Sequence, residues 1–177
     1  FDSQIIDELN QIIKSLEERK SSHEPNTIDQ TEYQLGMIFE DFYERENDTK
    51  NLEKANSWYE KAHNHNNEKA ILKLRDTAFR LSNIYFQMFQ NEGNVNETYK
   101  QKVLKWLIEA DYRGHNKAAY TLASIYYDSY QKYSDRDTLR TAMKWYDKSH
   151  NQRNYKGAYE LGIIYHDMYK IYKSFVH

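Results

Sequence analysis

One seven-residue pattern occurs four times: Tyr33-x-Leu35-Gly36-x-Ile38-Phe39, Phe79-x-Leu81-Ser82-x-Ile84-Tyr85, Tyr120-x-Leu122-Ala123-x-Ile125-Tyr126 and Tyr159-x-Leu161-Gly162-x-Ile164-Tyr165. A further aromatic follows four residues later in every copy, at Tyr43, Phe89, Tyr130 and Tyr169. Spacings of three and four lay these side chains along one stripe of an α-helix. A second pattern follows each of the first three copies: Ala55-x-x-Trp58-Tyr59-x-x-Ala62, Val103-x-x-Trp106-Leu107-x-x-Ala110 and Ala142-x-x-Trp145-Tyr146-x-x-Ser149. Here small residues flank a Trp and its neighbour, which lets two helices approach closely while the ring fills the gap. Helices carrying the first pattern are termed A and those carrying the second B. A chain built this way folds as repeated helix pairs.

The spacings predict eight helices, at 3–20, 28–45, 50–64, 68–90, 97–112, 116–132, 137–149 and 155–173. The expected class is all-α, a right-handed α-solenoid of antiparallel helix pairs forming a single domain over 1–177. Residues 28–173 hold three pairs and a terminal A helix. Leu9-x-x-Ile12-Ile13-x-x-Leu16 matches the B spacing, so 3–20 reads as an N-terminal cap covering the first A helix. Ser21 to Thr27 reads as a loop, with Thr27 and Gln30 at capping-box spacing. From Trp58 to Leu81 the chain is seven residues longer than from Trp106 to Leu122. Seven residues is nearly two helical turns, so the extra stretch, about Ala70 to Asp76, reads as a helix extension that keeps its face in register. The three Trp side chains, with Tyr33, Tyr120, Tyr126 and Tyr159, are expected in the core. The last A pattern has no B partner. It reads either as a C-terminal cap or as the opening of a further pair.

Composition narrows the field. The 177 residues contain no Cys, five Gly and one Pro. Without Cys there is no disulfide framework, thiolate zinc site or cysteine nucleophile. So few Gly and Pro cannot supply the tight turns of a sandwich, a barrel or a doubly wound sheet. A formal net charge of −2 argues against binding nucleic acid by phosphate neutralisation. An aromatic content of 15% argues against disorder. No apolar run reaches the length of a membrane span, so no membrane insertion is expected. No signal peptide is visible, which favours the cytoplasm. The first residue is Phe, not Met, and removal of a signal would instead place the protein in the periplasm or outside the cell.

The order Leu-Gly-x-Ile-aromatic followed by Lys54-Ala55-x-x-Trp58-Tyr59-x-Lys61-Ala62 resembles the Sel1-like repeat, a relative of the tetratricopeptide repeat. Gly114-His115-Asn116-Lys117-Ala118 resembles the turn between repeats of that family. The sequence departs from the family where Tyr43, Phe89, Tyr130 and Tyr169 replace its usual Gly, and its A–B loops are longer. The resemblance covers about residues 28–173. It implies an adaptor that presents a curved surface to another protein or peptide, without chemistry of its own.

Catalytic and ligand motifs are sparse. There is no Gly-rich phosphate loop, nucleophile elbow or H-E-x-x-H. His63 and His65, like His115 and His150, read as polar helix ends, where the dipole favours them. His166 and Asp167 lack a nucleophile set by spacing. No enzyme activity, cofactor or metal is expected.

One constellation points to binding. By analogy with related helical repeats, positions two, five and six residues after each A-helix Leu line the concave surface. They are Met37, Asn83, Ser124 and Ile163, then Glu40, Phe86, Tyr127 and His166, then Asp41, Gln87, Asp128 and Asp167. The set forms a column of carboxylates beside aromatics, all expected to face solvent, and suits a protein or peptide with a basic surface. The expected function is a non-enzymatic protein–protein interaction module, a bacterial adaptor or an immunity protein that neutralises a toxin. The alternative is a carbohydrate- or cell-wall-binding protein, or an enzyme acting on such material, in which tyrosines stack on sugars.

Overall fold

The computed structural model describes residues 11–15 and 25–176, with the backbone alone at 25–27, 172 and 174–176. Residues 11–15 are helical and are labelled α1. Seven further helices follow: α2 (Pro25–Glu46), α3 (Thr49–Asn64), α4 (Glu68–Asn91), α5 (Glu97–Tyr112), α6 (Ala118–Tyr133), α7 (Arg136–Asn151) and α8 (Tyr155–Val176). No strand occurs among the described residues. The chain is all-α, and α2, α4, α6 and α8 carry the A pattern while α3, α5 and α7 carry the B pattern.

Most of the expected cap helix and of the loop that follows it lies outside the described residues, as does the Thr27 side chain. One boundary there is corrected. Helix α2 begins at Pro25, not at 28. Proline suits a first helical turn, because its fixed φ is helical and its missing N–H would have had no partner.

Turn chemistry repeats with the helices. Each B helix opens on an Asx cap: Asp48 accepts from the Lys50 N–H, Asn96 from Tyr99 and Asp135 from Thr138. These carboxyl and amide oxygens occupy donors that the first helical turn leaves unpaired. Each turn from B to the next A contains a left-handed residue at one offset, Asn66 (φ 70°), Gly114 (φ 82°) and Arg153 (φ 65°). The residue after it donates its N–H back to the helix end: Asn67 to Ala62 at 2.9 Å, His115 to Ala110 at 2.9 Å and Asn154 to Ser149 at 3.0 Å. Only one of these three turns is marked by Gly.

The chain divides into two compact units, Phe1–Thr77 and Ala78–His177, with the boundary inside α4. The stretch Ala70–Asp76 is helical, as its length predicts, and it belongs to the first unit. Its inner face is Ala70 and Leu74; Ile71 and Leu72 face solvent.

In the first unit α2 packs on α3. The core joins Phe39, Ala55, Tyr59, Ala62, Ala70 and Leu74, with Ile13, Tyr33, Phe42 and Trp58 against it. Ala55, Tyr59 and Ala62 stand four and three residues apart and therefore share one face. Polar pairs close the edges. Glu32 meets His65 Nδ1 at 2.6 Å, and the Thr77 hydroxyl donates to Asn56 at 2.8 Å. His65 is thus a structural partner of a buried glutamate.

In the second unit α5 packs on α6, α6 on α7 and α7 on α8. Ala123, Leu139, Tyr146 and Ile164 form the core, with Tyr120, Tyr127, Met143, Trp145 and Leu161 against it. Buried Asp111 takes hydrogen bonds from Lys148 and Gln152. Among the tryptophans only Trp106 is buried, at 8% exposure; Trp58 and Trp145 are half-buried. The deep position is the residue after the Trp: Tyr59 is 0% exposed, Leu107 1% and Tyr146 2%. That residue shares the face of the small residues, while the Trp sits one step round the helix with a Lys ammonium near its ring, at 3.7 Å for Lys61 on Trp58. Tyr33, Tyr120 and Tyr126 are half-buried, and Tyr159 is exposed at 69%, so the expectation of core placement fails for it.

Candidate functional site

The expected groove residues fall in both units. On α2 in the first unit, Met37 and Asp41 are exposed. Asp41 pairs with Arg45 one turn later at 2.7 Å. Glu40 does not face solvent freely. Its Oε2 accepts from the Tyr59 hydroxyl at 2.6 Å and from Lys73 Nζ at 2.9 Å, and its side chain is 17% exposed. The charge expected to draw a partner is neutralised there by the chain's own lysine.

In the second unit, Asn83, Gln87, Asp128, Ile163, His166 and Asp167 are exposed, while Phe86, Ser124 and Tyr127 are half-buried. Tyr127 is a packing residue. Its ring lies edge-on to Tyr146 with centroids 6.4 Å apart and beside Tyr130 at 6.1 Å. The i+5 offset that puts Tyr127 in the expected groove set also brings it against the deep B-helix tyrosine. The Ser124 hydroxyl lies 3.4 Å from that tyrosine's oxygen.

Around Tyr146 the structure gathers an acidic, tyrosine-rich cluster. Tyr120 lies against Tyr146 with centroids 5.7 Å apart, and its hydroxyl donates to Glu160 at 3.5 Å. Burial, together with the charges of Glu160 and Asp128, pushes the Tyr146 hydroxyl up to about 12. Desolvation also raises the Asp128 carboxyl above the ordinary 3.8. Among the described residues neither Asp128 nor Glu160 takes an ion pair. In the first unit the corresponding tyrosine, Tyr59, has both a carboxylate and the ammonium of Lys73, 5.9 Å from its ring centroid. Among the described residues the second unit has the carboxylates and the rings without a cation ion-paired to them.

A cavity of about 480 Å³ adjoins this cluster at Tyr120. Phe79, Tyr120 and Tyr155 supply aromatic wall, and Lys117, Arg153 and Lys156 supply positive charge. The expected groove did not include these residues. A signal for them exists in the sequence: Lys69, Lys117 and Lys156 stand at one offset after the B pattern, in the turns that repeat. The second unit therefore places positive charge at the B-to-A turns and negative charge at Asp128 and Glu160.

No group of three or more His, Cys, Asp or Glu among the described residues is arranged to hold a metal ion. No helix among them is long and apolar enough to cross a membrane. Comparison with protein-family models, curated proteins and solved structures finds no match for the chain.

Proposed function

We propose that the protein is a non-enzymatic protein-binding module, a right-handed solenoid of antiparallel helix pairs of the Sel1-like type. Its A helices present a concave surface to a partner with basic side chains. Adaptor and immunity roles both use such a surface. The observation that carries the reading is the missing cation at Tyr146. Glu40 and Tyr59 are balanced by Lys73, whereas the charges of Asp128 and Glu160 act on Tyr146 with no basic side chain among the described residues paired to them. A lysine or arginine from a partner completes the second site as Lys73 completes the first. The rings of Tyr120 and Tyr127 exclude water from the contact and strengthen it.

The test is capture of the binding partner from the source organism, followed by affinity measurements with Asp128→Lys and Glu160→Lys. Each reversal is expected to weaken binding by about tenfold or more, and rising salt is expected to weaken the parent's binding. Parent-like affinity in both folded variants overturns the reading.

A further inference from the structure

The cavity of about 480 Å³ beside Tyr120 has a chemistry of its own, opposite in sign to the acidic cluster. Its wall comes mainly from two successive B-to-A turns and the helices that leave them. The turns are tied together, because the Asn154 side chain donates to the Asn116 carbonyl at 3.3 Å. Lys117 belongs to the first turn, Arg153 to the second, and Lys156 to the first turn of α8. No aspartate or glutamate lines the cavity, although the chain has 27 acidic residues against 25 basic ones. Glu160 meets the Tyr120 hydroxyl at 3.5 Å but is not part of the wall. All three cations are exposed, and none has an ion pair among the described residues. Lys73, Arg113 and Lys148, by contrast, each hold a carboxylate.

Two comparisons with the first unit's turn sharpen the contrast. Glu68 stands there beside Lys69, and at the same offset the later turns have Asn116 and Tyr155. The acid is replaced by an amide and then by an aromatic. Arg153 has a φ of 65°, in the left-handed region that disfavours a side chain. The earlier turns meet that requirement with Asn66 and Gly114, residues that adopt it readily. The second unit puts a guanidinium at a position that its own backbone disfavours. The aromatic wall is held in advance. Phe79 stacks on His115 with centroids 3.9 Å apart and planes 17° apart, and Tyr120 leans on Tyr146. Little ordering of these two rings is left for a ligand to impose. Tyr155 adds a third ring from the start of α8 and is exposed at 75%.

A ligand for this cavity joins two chemistries. Phosphate oxygens suit a guanidinium and two ammonium groups. A flat ring suits the aromatic wall. Three cations exceed what one phosphate group requires, and the volume lies in the range of small-molecule sites, about 300–1,000 Å³. We infer that the cavity binds a free nucleoside di- or triphosphate, its base against Phe79, Tyr120 and Tyr155 and its phosphates against Lys117, Arg153 and Lys156.

The probe is magnesium-free ATP, titrated calorimetrically onto the whole protein, beside adenosine, inorganic tripolyphosphate, phosphotyrosine and a single-stranded oligonucleotide. ATP is expected to bind at least about tenfold more tightly than each of the others. Arg153→Gly removes the charge and relaxes the turn. It is expected to weaken ATP binding by about tenfold while leaving the unfolding midpoint at or above the parent's. Lys117→Gln is expected to weaken ATP binding at an unchanged midpoint. Tyr155→Ala is expected to weaken binding of ATP and not of tripolyphosphate, since it removes only a ring. The inference is overturned if ATP shows no saturable binding below about 1 mM. Tripolyphosphate binding as tightly as ATP overturns it by reducing the cavity to surface charge. Parent-like ATP binding in both Arg153→Gly and Lys117→Gln also overturns it. Tighter binding of phosphotyrosine or of the oligonucleotide overturns it by assigning the cavity to a phosphorylated protein or to a nucleic acid.

Discussion

Lys73 and Tyr59 converge on one oxygen of Glu40, the ammonium at 2.9 Å and the hydroxyl at 2.6 Å. Three helices meet in that contact, because Glu40 belongs to α2, Tyr59 to α3 and Lys73 to α4. The carboxylate is mostly covered, so the ammonium contributes more than in an exposed ion pair. Lys73→Met keeps the apolar stem and removes the charge. It is expected to lower the stability of the chain by about 1–3 kcal/mol, measured by urea unfolding. Adding Glu40→Gln is expected to recover part of the loss, because a neutral amide tolerates the covered position better than a carboxylate.

Two glycines at the same place in the repeat are expected to respond oppositely to alanine. Tyr59 is fully buried and cannot withdraw from a Cβ at Gly36. Gly36→Ala is expected to cost about 1–3 kcal/mol by overpacking. Gly162→Ala is expected to stabilise by up to about 1 kcal/mol, since the site is exposed and alanine is the better helix former. Thermal unfolding of the two variants beside the parent checks both signs, and a loss of stability in Gly162→Ala contradicts the open space that a Cβ at Gly162 meets, with nothing within 4 Å.

The helices were legible because their apolar stripes are long and repeat. The seven-residue excess before Leu81 was equally legible, since only a helical insertion of that length keeps Leu74 and Leu81 on one face. What the sequence misreported was depth. Trp58 is the largest residue of its pattern, yet Tyr59 is the one aligned with Ala55 and Ala62, and only packing distinguishes the two. Solvent exposure was misjudged in a similar way at Glu40 and Tyr127. Their offset from the A-helix Leu is constant, but whether a neighbouring helix brings Lys73 or Tyr146 to them depends on tertiary contact. Of the three basic turns only the one at Gly114 is announced by glycine; Asn66 and Arg153 adopt the left-handed conformation without it.

That difference in depth ranks the three tryptophans. Trp106 is buried, and Trp106→Ala is expected to cost about 3–5 kcal/mol. Trp58 and Trp145 are half-buried and keep a lysine near one face, so their alanine variants are expected to cost about 1–3 kcal/mol each. Urea midpoints for the three variants give the order directly. Equal losses at all three positions contradict the burial described here.

Two aspartates are expected to give stability profiles of opposite slope in acid. Desolvation raises Asp128 above the ordinary 3.8. Its protonated form is favoured by folding, so its contribution is best below 3.8 and declines as pH climbs through the raised folded value. Hydrogen bonds from the Thr138 side chain, then from the Thr138 backbone, lower Asp135. Its contribution is fully present above 3.8 and is lost as pH falls through the lowered folded value. Asp128→Asn is therefore expected to gain stability relative to the parent as pH rises from about 3 to about 6. Asp135→Asn, which keeps a capping oxygen, is expected to lose stability relative to the parent over the same range. Urea midpoints of parent and both variants across that range test the pair. Parallel profiles would show that neither carboxyl is held as its surroundings require. A gain for Asp128→Asn near neutral pH, together with weaker partner binding, would locate at Asp128 a charge whose cost to the free fold is offset only when a cation from the partner arrives.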